Sequence, residues 1–273
     1  MTKTMNLWIS AIIITLGSVF FQRMTGPSYP AKINQTLPSG KILKCQLLTS
    51  HESNSDAPVV IPVTSEIASG IVSWRRVNSS DDWSQIPLDR RGDTLVAFLP
   101  KQPAAGKAAY NVELTAAGGE KLILTEQPVV IRFKDPVPLG VLAPHIAFMF
   151  ISMLLATRTG LEAFTKRNRS LPLAIWTTIF LLIGGLILGP IVQKYAFGAF
   201  WTGWPFGHDL TDNKTALAML IWVVSIWRGR SGKNARWWYI VAAIVHLLVY
   251  LVPHSVLGSE LDYTSGPSSS SLG

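Results

Sequence analysis

The sequence predicts an α+β membrane protein: an N-terminal apolar anchor helix, a β-sandwich, and a C-terminal bundle of four transmembrane helices. Three observations predict it. Only 15% of the 273 residues are charged and 48% are hydrophobic, against roughly 25% charged in an average soluble domain. Five apolar runs approach the ~18–20 residues that a helix needs to cross a hydrocarbon core about 30 Å thick. Between the first and second runs the pattern changes to alternating apolar and polar residues, the period of strands with one face on a core and one in water. The lone cysteine, Cys45, excludes an intrachain disulfide, a multi-cysteine zinc site and a Cys-x-x-Cys-His haem attachment.

Residues 1–22 read as a signal anchor or signal peptide. Lys3 precedes the apolar run LWISAIIITLGSVFF, and no small-x-small cleavage pattern follows it cleanly, which favours the uncleaved anchor. Residues 23–40, containing Pro, Ser and Gly, read as a linker. Residues 41–135 hold seven short runs, at 41–49, 59–63, 70–77, 94–99, 107–114, 121–124 and 129–133, separated by turn signals such as Asn54-Ser55-Asp56, Arg91-Gly92-Asp93 and Gly118-Gly119. In the fifth run Tyr110, Val112 and Leu114 share one face, with Asn111 and Glu113 on the other. This spacing predicts an immunoglobulin- or fibronectin III-like β-sandwich. Cys45 alternates with Leu43 and Leu47, so it reads as a core residue rather than a reactive thiol. Only Lys134, Asp135 and Pro136 lead into the next apolar run, a connection short and stiff enough to hold the sandwich near the membrane surface.

Residues 136–256 read as four spans, at 137–156, 171–192, 213–227 and 237–252. Within the second of these four, Gly185-Leu-Ile-Leu-Gly189 is a GxxxG pattern that lets backbones approach closely. Gly189-Pro190 should weaken or kink the end of that helix. Thr211 or Asp212 reads as the N-cap of the next span. Residues 257–273, with the run SGPSSSSLG, read as a flexible tail. Lys3, the loop carrying Arg158, Lys166, Arg167 and Arg169 against Glu162, and the loop carrying Arg228, Arg230, Lys233 and Arg236 together account for the whole net charge of +8. Cationic loops stay on the cytoplasmic side, so the β-sandwich and the C-terminus are expected outside. The basic residues flank spans and form no nucleic-acid face.

Ionisable groups within a bilayer are functional candidates by default. His145 and His246 are expected about 12 Å and 10 Å from the external ends of their helices at 1.5 Å rise per residue. Such a match suits axial ligation of a b-type haem from facing helices, a quinone site, or plain hydrogen bonding between helices. Tyr239, His246, Tyr250 and His254 fall on one face of the last span, and Tyr250 is placed to bond a ligand or fix the imidazole tautomer of His246. The loop KYAFGAFWTGWPFGHDLTDNKT is dense in aromatic residues, which settle at membrane interfaces or wall a lipophilic pocket. His208, Asp209, Asp212 and His254 gather nitrogen and oxygen donors as a candidate metal site, although no known ligand spacing is present.

The stretches PVVIRFKDPVP, GPIVQKYAFGAFWTGWPFGHDLTDNKT and VPHSVLGSELDY resemble a type of bacterial inner-membrane protein, itself without an assigned activity. That type pairs an external β domain with four C-terminal transmembrane helices. The resemblance implies a multi-pass protein of the bacterial cytoplasmic membrane, with its β domain in the periplasm, and carries over no catalytic residue. Walker, G-x-S-x-G and HExxH patterns are lacking, so a non-enzymatic component is expected, one that docks a periplasmic protein or membrane complex through the sandwich. The alternatives are a bis-histidine haem b electron-transfer subunit that meets quinone, and a transport-associated protein.

Overall fold

The computed structural model describes residues 3–165, 169–230, 235–252 and 260–264. The chain divides into a helical unit and a β unit, and residues 260–264 belong to the latter.

The β unit contains β1 (Ala31–Thr36), β2 (Ile42–Leu47), β3 (Ser50–Glu52), β4 (Ala57–Pro62), β5 (Ile67–Arg76), β6 (Ser84–Pro87), β7 (Asp89–Arg91), β8 (Thr94–Leu99), β9 (Lys107–Ala116), β10 (Lys121–Ile123) and β11 (Val129–Lys134). Each of the seven expected runs is a strand. β1 lies in the stretch read as a linker, where Lys32, Asn34 and Thr36 interrupt the apolar signal. The strands form three sheets, in the orders β1-β2, β3-β11-β9-β5-β6 with β10 also on β9, and β4-β8-β7. β9 organises the largest sheet. It pairs antiparallel with β5 along one edge, and on the other with β10 opposite residues 113–115 and with β11 opposite residues 107–110. β3 joins β11 in parallel.

Alternation along β9 sends Tyr110, Val112 and Leu114 into a core shared by all three sheets, where they meet Val72, Ile131, Phe133, Ile61, Leu99 and Leu47. The Tyr110 hydroxyl donates to the Leu48 carbonyl at 2.8 Å, which satisfies its polar end inside the core. Cys45 is buried in the same core, and burial pushes its thiol up to about 11.

Residues 260–264 pack on this unit. Glu260 pairs with Lys107 at 3.2 Å, the Leu261 and Tyr263 amides donate to the Ala105 and Asn78 carbonyls, and the Tyr263 hydroxyl donates to Gln102 Oε1 at 3.2 Å. Arg76 covers the Tyr263 ring at 4.5 Å while donating two bonds to Asp81, at 2.6 and 2.8 Å. Asn78 and Ala105 are the two described non-glycine residues with positive φ, +53° and +66°. Both turn their carbonyls to this segment.

The helical unit contains α1 (Lys3–Thr25), α2 (Leu139–Ala163), α3 (Ser170–Leu181), a π-helical stretch (Leu182–Leu188), α4 (Gly189–Phe197), α5 (Leu210–Gly229) and α6 (Ala235–Leu251). Among the described residues, three helices are long and apolar enough to cross a membrane: α1, α2, and the continuous Ser170–Phe197 helix of 28 residues formed by α3, the π stretch and α4. Two of the five expected spans fall short of that standard. α5 carries Asp212 and Lys214 in its first turns, and α6 has 17 residues. α2 packs on α1, α3 and α6, and α5 packs on α3 and α6.

Small residues mark the tightest approaches. A Cβ at Gly160 of α2 would sit 2.6 Å from that of Ala243 in α6, and one at Gly185 would sit 2.7 Å from Thr215 of α5. The helix irregularity begins at Leu182, about two turns before the expected Gly189-Pro190 position, and Pro190 sits in the first turn of α4. Arg158 and Glu162, read as loop residues, lie in the last turns of α2. They form a buried i,i+4 pair at 2.6 Å, with Arg158 over the Trp8 ring of α1 at 5.3 Å. Their charges cancel, so the net loop charge is unchanged by their move into the helix.

Candidate functional site

The site is built around His145, which follows Pro144 inside α2. Its Nδ1 lies 2.9 Å from the Gly184 carbonyl in the π stretch, and a carbonyl partner requires that Nδ1 donate, which leaves Nε2 as the acceptor. The same carbonyl accepts the Gly189 amide five residues on. Gly184 permits this approach: a Cβ there would meet Met149 and Phe148 of α2 at 3.0 Å. The π register, two neighbouring glycines and the imidazole thus form one local arrangement, and π-bulges recur at functional sites.

His145 borders two cavities. The first, of about 140 Å³, lies among α1, α2, α5 and α6, and its polar contributors are Gln22, His145, Lys214, Thr215 and Tyr250. The second, of about 130 Å³, lies among α2, α4, α5 and the loop before α5, and includes Gln193, Asp209 and Asp212. His145, Met149 and Thr215 are common to both walls. Lys214 is 7% exposed. Its Nζ donates to the Val252 carbonyl at the end of α6, at 2.6 Å, and among the described residues no carboxylate pairs with it.

The second cavity is fixed by the aromatic loop. Asp209 is the N-cap of α5, accepting the Thr211 amide at 2.8 Å, where the sequence pointed to Thr211 or Asp212. Asp212 is free to serve the loop instead. Its Oδ2 accepts the Thr202 amide at 2.7 Å, the Gly203 amide at 3.0 Å and Gln193 Nε2 at 3.3 Å. A Cβ at Gly203 would sit 2.6 Å from that of Asp212, so glycine is required for this closure. Asn213 Oδ1 accepts the Trp204 amide at 2.7 Å. Phe200, Trp204 and Phe206 remain exposed, as an interfacial segment would leave them. Of the four candidate metal ligands, Asp209 and Asp212 are brought together around the Thr202 hydroxyl. His254 lies outside the described residues, among which no group of three or more metal-ligating side chains forms.

His246 is 1% exposed and borders neither cavity. Trp222 Nε1 donates to its Nδ1 at 2.9 Å. An indole nitrogen only donates, so the neutral imidazole carries its proton on Nε2, which has no hydrogen-bond partner among the described residues. In this tautomer the ring's lone pair lies on Nδ1, where it accepts the Trp222 indole N–H, and His246 does not join His145 in the wall of either cavity. Tyr250 stacks on His246 with centroids 5.2 Å apart, and its hydroxyl donates to the Met149 carbonyl at 2.6 Å. Trp222 therefore fixes the tautomer, one of the two roles open to Tyr250, which itself lines the first cavity. The face of the last span is buried as its pattern suggests, with Tyr239, His246 and Tyr250 all inside.

Lys214, Gln22 and Trp222 join the expected residues in or beside the site. Lys214 had a legible signal, a lysine at the start of an apolar run. Gln22 and Trp222 had none, because their importance comes only from which helices meet.

Neither a family model nor a curated protein matches the sequence. Among solved structures, a β-1,2-glucanase from Parabacteroides distasonis matches with 12% identity and a TM-score of 0.22 over 81% of this chain and 35% of its own. Astrotactin-2, described as a vertebrate-specific perforin-like membrane protein, matches with 11% identity and a TM-score of 0.21 over 68% of this chain and 36% of its own. The chain thus spans about a third of the length of either. Likenesses this distant do not bear on fold or activity.

Proposed function

We propose that this protein is an integral membrane component that binds an amphipathic small molecule in the cavity beside His145 and docks a partner through its β unit. The observation that carries the reading is the first cavity itself, which combines an apolar wall with a buried lysine and a hydrogen-bonded histidine. Ligand sites are mostly apolar with a few placed polar groups, and ionisable residues in helical membrane units mark sites by default. Mass spectrometry of organic extracts from protein purified in mild detergent tests it. A stoichiometric amphiphile, lost in Ile146→Trp, is expected, and extracts containing only detergent would overturn the reading.

The architecture follows the same reading. A core shared by three sheets, with β3 parallel to β11, supports an immunoglobulin-like sandwich. Contacts linking α2, α3, α5 and α6 in a ring support a four-helix bundle with α1 against it. The basic residues between helices support a bacterial inner-membrane orientation with the β unit in the periplasm, where it would dock a periplasmic protein or membrane complex. Cross-linking in cells through the β unit should capture one defined partner, and recovery of the free monomer alone would count against docking.

A further inference from the structure

We infer that the first cavity receives the anionic head of an amphiphile, with Lys214 as its counter-ion and the apolar wall seating its chain. This rests on the reading that the cavity holds an amphiphile and adds the sign of its charge. A buried ammonium is costly unless it is paired. Among the described residues Lys214 has one hydrogen-bond partner, the neutral Val252 carbonyl, which occupies one of its three donors. Asp209 acts on it only as a charge at longer range.

Placement favours a headgroup. Lys214 lies about 6 Å along the axis from Leu210 at helical rise, a position from which lysine ordinarily extends to the interface with its head in water. Here the side chain is buried and lines the cavity. Val19, Ile146, Phe150 and Val249 form the apolar part of the wall. The two cavities also differ in sign, because Asp209 and Asp212 border the second and not the first. An anion is therefore drawn to the lysine side. A phosphate or carboxylate oxygen on Nζ would form a charge-assisted hydrogen bond, about twice as strong as a neutral one.

The test uses the full chain in nanodiscs of phosphatidylcholine, alone or mixed with phosphatidylglycerol, with retained lipid counted by native mass spectrometry and oleate and inorganic phosphate added as competitors. Selective retention of phosphatidylglycerol is expected, falling about tenfold in Lys214→Gln and kept in Lys214→Arg. Displacement by oleate and not by phosphate supports an amphiphile, and displacement by phosphate would assign a soluble anion and overturn the lipid source. Equal retention of both lipids by the wild type, or an unchanged preference in Lys214→Gln, would overturn the charge assignment alone. Retention of neither lipid would instead sink the underlying amphiphile reading. Ile146→Trp keeps the lysine and fills the apolar wall, so retained preference there would also overturn the site should Lys214→Gln fail to fold.

Discussion

Glu162 and Arg158 are both almost fully enclosed, so neither can lose its partner without leaving a charge in an apolar setting. Glu162→Ala should destabilise the helical unit by about 3–5 kcal/mol, whereas replacing both residues with apolar ones of similar volume should cost far less; thermal unfolding in detergent checks both. Trp222→Phe keeps the packing and removes the donor to His246, with an expected loss of about 1–3 kcal/mol. In the β unit, Arg76 holds the Asp81 carboxyl below the usual carboxylate range, chiefly through its hydrogen bonds. A lowered folded-state pKa contributes stability above the unfolded value of about 4 that is lost as pH falls through the folded one. Acid titration of unfolding should show this loss, and Asp81→Asn should remove it. These residues differ in how far the sequence exposes them. His246 is legible as a buried polar residue because it shares a helix face with Tyr239 and Tyr250. The Arg158–Glu162 pair is not, because charge alone suggests a loop until the Trp8 ring and the α2 backbone supply a place for it.

Strands were the most legible elements, since alternation directly reports a half-buried face; the short β3, β6 and β7 offered too few residues to show a period. The helices were legible by apolar length but not by their irregularities. A GxxxG pattern announces close packing, yet Gly185 meets Thr215 while Gly184, outside the pattern, makes room for α2 and gives its carbonyl to His145. Which glycine does which depends on the π register, and no local propensity encodes that. Gly185→Val should overpack the α5 contact and cost about 1–3 kcal/mol, measured by unfolding in detergent. The aromatic loop was legible as interfacial, but its closure by Asp212 was not, because the carboxylate reaches amides nine and ten residues away in sequence. Asp212→Ala should leave the Thr202 and Gly203 amides unsatisfied, seen as faster amide exchange confined to that loop.

At the scale of the whole molecule, composition and loop charge point to the class, while the attachment of residues 260–264 has no signal in composition or pattern. The segment just ahead of the low-complexity run, within the 257–273 stretch expected to be a flexible tail, contributes Glu260, Leu261 and Tyr263 to the β unit. In a variant with Cys45→Ala, cysteines introduced by Ser84→Cys and Thr264→Cys should both react with an impermeant thiol reagent from the same side of sealed vesicles. Reaction from opposite sides would remove the attachment. The attachment also constrains the path between its two ends. A chain that leaves the β unit at Pro136 and rejoins it at Glu260 has crossed the membrane an even number of times. α2 and the Ser170–Phe197 helix are each long and apolar enough to supply one crossing, and with both in place α5 and α6 cross as a pair or remain together on one side. The marginal length of α6 and the charged start of α5 are thus a single question, and neither helix can span alone.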